Sequence, residues 1–189
     1  MTTARIRLAV ATDFEAIAAI TNHYIRTTAI HFGYDDVSAA ELRAQWQGKI
    51  GLYPWLVTDL DGEVAGYAKA GPYRERSAYL YITETGIYLA PHHCGRGLGR
   101  PLYRRLLEVL RAQGFHSAIG GIALPNELSV RLHEELGFAA CGIVREAGRK
   151  FDRWHDVGFW QLRLHPTDRA TPILESPSQA FARTVTPQA

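Results

Sequence analysis

Residues 79–110 carry the strongest structural signal in the chain: Tyr79-Leu-Tyr-Ile-Thr-Glu-Thr-Gly-Ile-Tyr-Leu89, then Ala90-Pro-His-His-Cys-Gly-Arg-Gly-Leu-Gly99, then, after Arg100, Pro101-Leu-Tyr-Arg-Arg-Leu-Leu-Glu-Val-Leu110. The first run is rich in aromatic and β-branched residues, which predicts a strand with one carboxylate, Glu84, near its middle. The third run has leucines at helical spacing. A strand, a glycine loop and a helix in this order predict a cradle for a phosphate group.

The physical basis of such a cradle is backbone geometry. Glycines allow the backbone to approach a ligand closely, and the first amides of a helix are unpaired and favour an anion. Two common glycine motifs do not fit the spacing, because a dinucleotide fingerprint starting at Gly95 needs glycine where Arg100 stands, and a P-loop needs Gly-Lys where Arg100 and Pro101 stand. The remaining pattern, Gly97-x-Gly99, is by itself also typical of a plain turn into a helix.

The N-terminal half predicts two helices and a hairpin around this stretch. Residues 5–10 alternate like a strand, Thr12 or Asp13 caps a first helix, and Ser38-Ala-Ala-Glu41 is a capping box that opens a second helix toward Lys49. Asp61-Gly62 lies between two strand-like runs, residues 55–58 and 63–70, and is a strong hairpin signal.

The C-terminal half predicts a strand at residues 117–123, a helix starting at Pro125 or Asn126, and strands at residues 137–144 and 154–164, with a basic turn region at 147–153 between them. The predicted order is β-α-α-β-β-β-α-β-α-β-β, an α/β (α+β) fold with a mixed sheet and helices on both faces. We expect one domain over residues 1–164. Residues 165–189 are rich in Pro, Thr, Ser and Gln and are expected to form a mobile tail, with Ile173 and Leu174 as its only anchor.

Composition excludes several classes of protein. With 189 residues, 47% hydrophobic content and a net charge of +2, the chain is expected to be one soluble domain without the basic patch of a nucleic-acid binder. It has no apolar run of about 20 residues and no signal-peptide pattern, so a cytoplasmic location without membrane contact is expected. Cys94 and Cys141 lack nearby ligand spacing, so we expect neither a disulfide framework nor a metal site.

Residues 4–164 resemble the GNAT superfamily of acyl-CoA N-acyltransferases and, within it, the phosphinothricin N-acetyltransferase branch. The resemblance rests on runs in one order: Asn22-His-Tyr24, Tyr53-Pro-Trp-Leu-Val57, Asp61-Gly-Glu-Val-Ala-Gly66, Ala70-Gly-Pro72, Glu84, Gly97-Leu-Gly99, Leu124-Pro-Asn126, Ser129-Val-Arg-Leu-His133, Leu136-Gly-Phe138 and Trp154-His-Asp-Val-Gly-Phe-Trp-Gln161. One departure is Cys94, which stands where the family's loop begins with Arg or Gln. The fold implied is the GNAT fold, with a mostly antiparallel sheet.

The resemblance implies that acetyl-CoA is the co-substrate and lies where the Glu84 strand splays from the strand at residues 117–123. The cofactor-binding residues that it implies are Ile87, Tyr88, Leu89, Cys94, Gly95, Arg96, Gly97, Leu98, Gly99, Arg100, Asn126 and Ser129. Asn126, Ser129 and His133 lie on one helix face at offsets of three and seven. The resemblance implies that His133, at a position where the superfamily commonly has tyrosine and this branch has histidine, is a catalytic residue that protonates the departing CoA thiolate. A plain N-cap for Asn126 and an ordinary packed histidine stay open.

For the acceptor, the resemblance implies that Arg74 and Arg76 hold the carboxylate and phosphinate of an amino-acid-like substrate and that Tyr79 lies on the substrate side. It also implies that Phe32, with Tyr34, lines the acceptor pocket, unless these loop aromatics pack on the core. Arginine forks bind such oxyanions well, although arginines in an exposed loop are usually only solvated. The resemblance also implies a homodimer, and a substrate or dimer surface within residues 154–160, at Trp154, His155, Asp156, Phe159 and Trp160. Ordinary core is the alternative for these residues.

The expected reaction is direct acetyl transfer to a primary α-amine. An ammonium has no lone pair, so a base must remove its proton, and a carboxylate among apolar neighbours such as Ile82 and Tyr88 is suited to this because its pKa is raised. Glu84 is the predicted base, unless it pairs with a nearby arginine. The expected acceptors are phosphinothricin, methionine sulfoximine or methionine sulfone. Other amino acids, protein amines, and a catalytically silent acyl-CoA-binding protein remain alternatives.

Overall fold

The structure, a computed structural model, describes residues 4–168, 170 and 172–185. Its strands are β1 Ala4–Leu8, β2 Trp55–Leu60, β3 Glu63–Pro72, β4 Ile82–Leu89, β5 Ser117–Leu124, β6 Ala139–Lys150 and β7 Arg153–Arg163. Its helices are α1 Phe14–Thr27, α2 Ala39–Gln47, α3 Gly99–Gln113, α4 Glu127–Glu135 and α5 Pro177–Val185. The predicted order of elements is confirmed, with α5 in addition. None of the helices in these described ranges is long and apolar enough to cross a membrane.

All seven strands form one sheet in the order β1-β2-β3-β4-β5-β7-β6. Every neighbouring pair is antiparallel except β4 and β5, which run parallel. Pairing between those two covers only Ile82–Thr85 and Ser117–Gly120, after which the strands diverge. The expected mixed sheet, and the splay between its two central strands, are therefore present.

Helices cover both faces of the sheet, as predicted. On one face, Leu102, Leu106 and Leu110 of α3 are completely buried against the sheet, and α5 packs beside them. On the other face, α1 and α2 bury Phe14, Ile17, Leu42 and Trp46 against β2 and β3. The capping box is confirmed, because Ser38 Oγ accepts the Glu41 amide at 3.1 Å and the Ser38 amide donates to Glu41 Oε2 at 2.8 Å.

Two strand boundaries differ from the prediction. Tyr79 lies in a short 3-10 turn, Ser77–Tyr79, and β4 begins only at Ile82. The Tyr79 ring packs edge-on against the Tyr73 ring. Tyr79 therefore belongs to a contact between loop residues, although in the sequence it continues the aromatic pattern of the strand. The predicted basic turn region is mostly strand, since β6 runs to Lys150 and the turn is only Phe151 and Asp152, both at positive φ.

The region expected to be a mobile tail contains the ordered helix α5, so that expectation needs correction for residues 172–185. Ala180 is buried against the core, and Arg183 donates to Ala112 O at 2.7 Å and pairs with Glu175 at 2.5 Å. Leu174 is a core contact, whereas Ile173 is exposed. The helix α5 was not predicted because its residues are mostly small and polar and only one of its faces is apolar. Residues 169, 171 and 186–189 of the expected tail lie outside the described residues.

Candidate active site

Two glycines and two charged residues form the floor of a cavity on the β3–β4 pair. Lys69 lies opposite Gly86, and Gly71 lies opposite Glu84. Opposite residues of a sheet share a face, as do residues two apart on one strand, so all four face the same side. A Cβ atom at Gly71 would meet no atom within 4 Å. The missing side chains leave a cavity of about 410 Å³, which Gln45 and Lys49 border on the α2 side.

The Lys69 ammonium is a half-buried cation beside this cavity. Its Nζ lies 4.8 Å from the centre of the Trp55 ring, and Trp55 is the residue directly opposite Lys69 on β2. Burial lowers the pKa of Lys69, the nearby Glu84 carboxylate raises it, and Lys49 lowers it again. The indole therefore holds the side chain so that the charge points into the cavity.

Glu84 lies across the cavity from Lys69. Partial desolvation raises the pKa of its carboxyl above the ordinary value, while the Lys69 ammonium opposes that rise. Among the described residues, no arginine forms an ion pair with Glu84. A carboxylate with a raised pKa that is open to a cavity has the properties of a general base.

A second cavity, of about 360 Å³, lies between the diverging end of β4, the start of α3 and α4. Gly95 and Gly97 on its rim both have φ of 77°, a conformation that other residues rarely adopt. The Tyr24 hydroxyl fixes the end of β4 by donating to Leu89 O at 2.8 Å. The expected cofactor residues that line this groove are Ile87, Tyr88, Leu89, Cys94, Gly95, Gly97, Leu98, Gly99, Arg100, Asn126 and Ser129.

Arg96 is the one expected cofactor residue that does not line the groove. Its guanidinium contacts His93 Nδ1 at 3.3 Å instead. Asn126 is an N-cap, as its amide oxygen accepts the Ser129 N–H at 3.2 Å, and it also lines the groove. Both interpretations of Asn126 are therefore compatible with the structure.

A small space of about 50 Å³ lies between the two cavities. It shares Gly86 and Gly121 with the first cavity and Asn126 and Ser129 with the second, and His133 also lines it. Tyr88 lines all three spaces, and burial, with a further contribution from the Glu84 carboxylate, raises its pKa to about 12. The cavity that holds Lys69 and Glu84 and the long groove therefore share Tyr88 as a wall.

Comparisons with known proteins agree with this geometry. The acetyltransferase (GNAT) domain family matches residues 6–158. This chain belongs to the GNAT acetyltransferase family. It is 46% identical over 156 residues to a phosphinothricin N-acetyltransferase of Streptomyces viridochromogenes, covering 82% of this chain and 85% of the relative. The chain is therefore an N-acetyltransferase.

Two further proteins resemble the acetyltransferase closely. An L-methionine sulfoximine/L-methionine sulfone acetyltransferase of Salmonella typhimurium is 38% identical over 160 residues, covering 84% of this chain and 94% of the relative. The structure of a phosphinothricin acetyltransferase from Sinorhizobium meliloti, solved in complex with acetyl-CoA, matches with a TM-score of 0.84 and 33% identity, over 93% of this chain and 98% of that one.

In the acetyltransferase, both ring nitrogens of His133 are engaged. Nδ1 lies 2.8 Å from Ser129 O and Nε2 lies 3.0 Å from the Tyr103 hydroxyl, which in turn lies 2.7 Å from Thr85 Oγ1. The residue is buried, which lowers the pKa of the imidazole. A Cβ at Gly120 would lie 2.5 Å from Nε2, so the ring fits closely over a glycine on β5.

The expected acceptor residues do not line the cavity that holds Glu84. Arg74 is exposed, with its guanidinium over the rings of Tyr73 at 5.1 Å and Tyr79 at 6.0 Å, and Arg76 is exposed as well. Phe32 lies against Gly148 and beside His155, 6.2 Å from that ring, and the Tyr34 hydroxyl donates to Arg149 O. The surface residues expected near β7 are divided, since His155 and Trp160 are buried and Trp154 is exposed.

Sequence reasoning missed Lys69 and Lys49 as cavity residues and Tyr103 as the partner of His133. A signal for Lys69 was available, because it follows Tyr67 at strand spacing and therefore faces the same side. Which face α2 would cover could not be known from the strand alone. Tyr103 had the spacing of an ordinary core residue.

Proposed function

We propose that the acetyltransferase transfers the acetyl group of acetyl-CoA to the α-amine of a small amino-acid-like acceptor that carries oxygen-rich groups, such as phosphinothricin, methionine sulfoximine or methionine sulfone. The observation that carries the proposal is the cavity beside Glu84 and Lys69, which shares Tyr88 with the long groove. The similarity to a phosphinothricin N-acetyltransferase and to an L-methionine sulfoximine/L-methionine sulfone acetyltransferase supports this acceptor class.

The residues of the groove suit acetyl-CoA. The Gly95–Gly99 backbone and the first amides of α3 would bind the diphosphate. Arg100 would supply the nearby positive charge, because Cys94 stands where the family's loop begins with Arg or Gln. Asn126 and Ser129 would contact the pantetheine arm. Acetyl-CoA supplies the reactive thioester, and the edge of β4 at residues 87–89 would donate hydrogen bonds to its carbonyl oxygen.

The first cavity suits a small acceptor with at least one acid group. A volume of about 410 Å³ is in the range of small-molecule sites. The ammonium groups of Lys69 and Lys49 would bind the acceptor's anionic oxygens, and the Glu84 carboxylate would face its α-ammonium group. Because Gln45 of α2 borders the cavity on one side, the geometry favours a free amino acid over an extended peptide.

In the proposed reaction, Glu84 accepts one proton from the ammonium and frees its lone pair. The amine nitrogen then forms a bond to the thioester carbon, the carbon–sulfur bond breaks, and the nitrogen's second surplus proton is taken up by the departing thiolate or by water. A base with a raised pKa is matched to this task because it binds the proton more firmly than an ordinary carboxylate does.

We assign His133 a positioning role. Both of its nitrogens are occupied, so it does not point a free N–H at the groove, yet it fixes the Ser129 backbone and, through Tyr103 and Thr85, ties α4 to α3 and β4. These contacts fix the wall of the small space between the two cavities, where the two substrates would meet.

The homodimer, the cytoplasmic location and a role in resistance stay predictions.

The experiment is CoA release from acetyl-CoA with L-phosphinothricin, L-methionine sulfone and L-methionine at equal concentration. The proposal predicts strong turnover with the first two, little with methionine, and loss of turnover in Glu84→Gln. Turnover of a peptide amine in preference to all three would instead support the protein-acceptor alternative. Binding of acetyl-CoA without any turnover would favour the silent binding protein.

A further inference from the structure

Three side chains with metal-binding groups meet near the beginning of β3. Glu63 is the first residue of that strand, and His92 and His93 lie in the 3-10 turn Pro91–His93 that follows β4. The Glu63 Oε1 atom is 2.7 Å from His92 Nε2 and 3.1 Å from His93 Nε2. The ligand atoms of all three lie within 4.8 Å of one another.

We propose that Glu63, His92 and His93 form a binding site for one Zn²⁺ ion. Two imidazole nitrogens and a carboxylate oxygen are a ligand set that zinc uses, whereas Mg²⁺ and Ca²⁺ require mostly oxygen ligands. Three protein ligands leave the fourth tetrahedral position to water. The expectation that the chain lacks a metal site rested on its two cysteines, and this ligand set contains neither.

The side chains can reach the geometry that zinc requires. With metal–ligand distances of about 2.0–2.1 Å, tetrahedral ligands lie about 3.3 Å apart, slightly more than the hydrogen-bond distances at Glu63 Oε1. The His93 side chain is 7% exposed, and its backbone N–H donates to Ala90 O at 2.9 Å, so this ligand is fixed. His92 and Glu63 are 64% and 56% exposed, so their side chains are free to adjust.

Arg96 opposes metal binding at this site. Its guanidinium contacts His93 Nδ1 at 3.3 Å, which requires that nitrogen to be the acceptor. A neutral imidazole that binds zinc through Nε2 carries its proton on Nδ1, so the contact with Arg96 must break. Removal of the arginine is therefore expected to strengthen zinc binding, whereas removal of His92 weakens it.

The site is separate from the catalytic cavity. Glu84 lies opposite Gly71, which is eight residues beyond Glu63 on the same strand, or roughly 26 Å at about 3.3 Å per residue. Zinc would instead join the start of β3 to the turn that leads into the Gly95–Gly99 loop.

The test is isothermal titration of the full-length, metal-free protein with zinc chloride at neutral pH. We expect one Zn²⁺ per chain, at least about 10-fold weaker binding in His92→Ala and in Glu63→Gln, and tighter binding in Arg96→Ala. Glu75→Gln, an exposed acid beyond the other end of β3, is the matched control and should bind like the wild type. Unchanged melting temperatures show that the exposed substitutions leave the fold intact.

Absence of zinc binding by the wild type would overturn the proposal. So would equal affinity in the wild type, His92→Ala and Glu63→Gln, because the ion would then lie elsewhere, for instance on the exposed thiols of Cys94 and Cys141.

Discussion

Lys69 and Glu84 occupy diagonal corners of a four-residue patch on the β3–β4 pair whose other two corners are Gly71 and Gly86. The two glycines leave space for a ligand, and the two charged residues contribute an ammonium group and a carboxylate. A cation and a carboxylate facing each other across a small cavity are complementary to a zwitterionic amino acid.

Glu84→Gln removes the proposed base and keeps the size of the side chain. We expect turnover to fall by about two orders of magnitude at neutral pH, because general-base catalysis typically contributes about 10²–10⁴-fold. Steady-state kinetics with a saturating acceptor, together with a separate measurement of acetyl-CoA affinity, checks this. Near-normal turnover would remove Glu84 from the base role.

The dependence of kcat/KM on pH is expected to have two limbs. The acid limb reports Glu84, whose raised pKa means that the base becomes active only above the ordinary carboxylate range. The alkaline limb reports Lys69, whose pKa is lowered. The positive charge that binds the acceptor is therefore lost at a lower pH than an ordinary lysine would lose it.

Lys69→Met tests the origin of both limbs. The ammonium lowers the pKa of Glu84, so its removal should shift the acid limb to higher pH and abolish the alkaline limb. An acid limb that stays in place, or moves to lower pH, would show that the two groups do not interact.

Of two glycine substitutions, one should affect acceptor binding and the other the stability of the fold. Valine at Gly71 would project into open space, so Gly71→Val should preserve stability and acetyl-CoA binding but block the acceptor. Alanine at Gly120 would press on the His133 ring, which Ser129 and Tyr103 hold in place, and should cost about 1–3 kcal/mol of unfolding free energy. Urea unfolding and acceptor kinetics distinguish them, and the reverse pattern would contradict the assignment of the cavity.

Cys94 offers a direct probe of the groove. Both cysteines are exposed, but only Cys94 lines the groove, while Cys141 lies on β6. Acetyl-CoA should therefore protect Cys94 from alkylation by N-ethylmaleimide and leave Cys141 reactive, as mass spectrometry of the peptides would show. Equal labelling of Cys94 with and without saturating acetyl-CoA would place the ligand elsewhere.

Much of the fold could be predicted because its signals are local. The Asp61-Gly62 turn and the capping box at Ser38 each specify their own element boundary. The helix α5 could not be recognised in the same way, because its small residues show an apolar face only once α3 provides the surface that Ala180 packs against.

The site was predictable where one strand carried it and not where several elements met. Glu84 stands out as a carboxylate within an apolar strand. The role of Lys69 depends on α2 covering one face of the sheet and on Trp55 lying opposite it, neither of which is encoded near residue 69. Arg74 follows the end of β3 closely in sequence, but its guanidinium lies over the rings of Tyr73 and Tyr79.

The most direct test of the central claim is to compare acceptor KM in the wild type, Lys69→Met and Arg74→Met with L-phosphinothricin. A hydrogen bond to a charged group is worth about 1.5–3 kcal/mol, so Lys69→Met should raise the acceptor KM roughly 10- to 100-fold with the KM for acetyl-CoA unchanged, and Arg74→Met should have little effect. A wild-type KM in Lys69→Met, with the loss appearing in Arg74→Met, would contradict the account and place the acceptor outside the cavity.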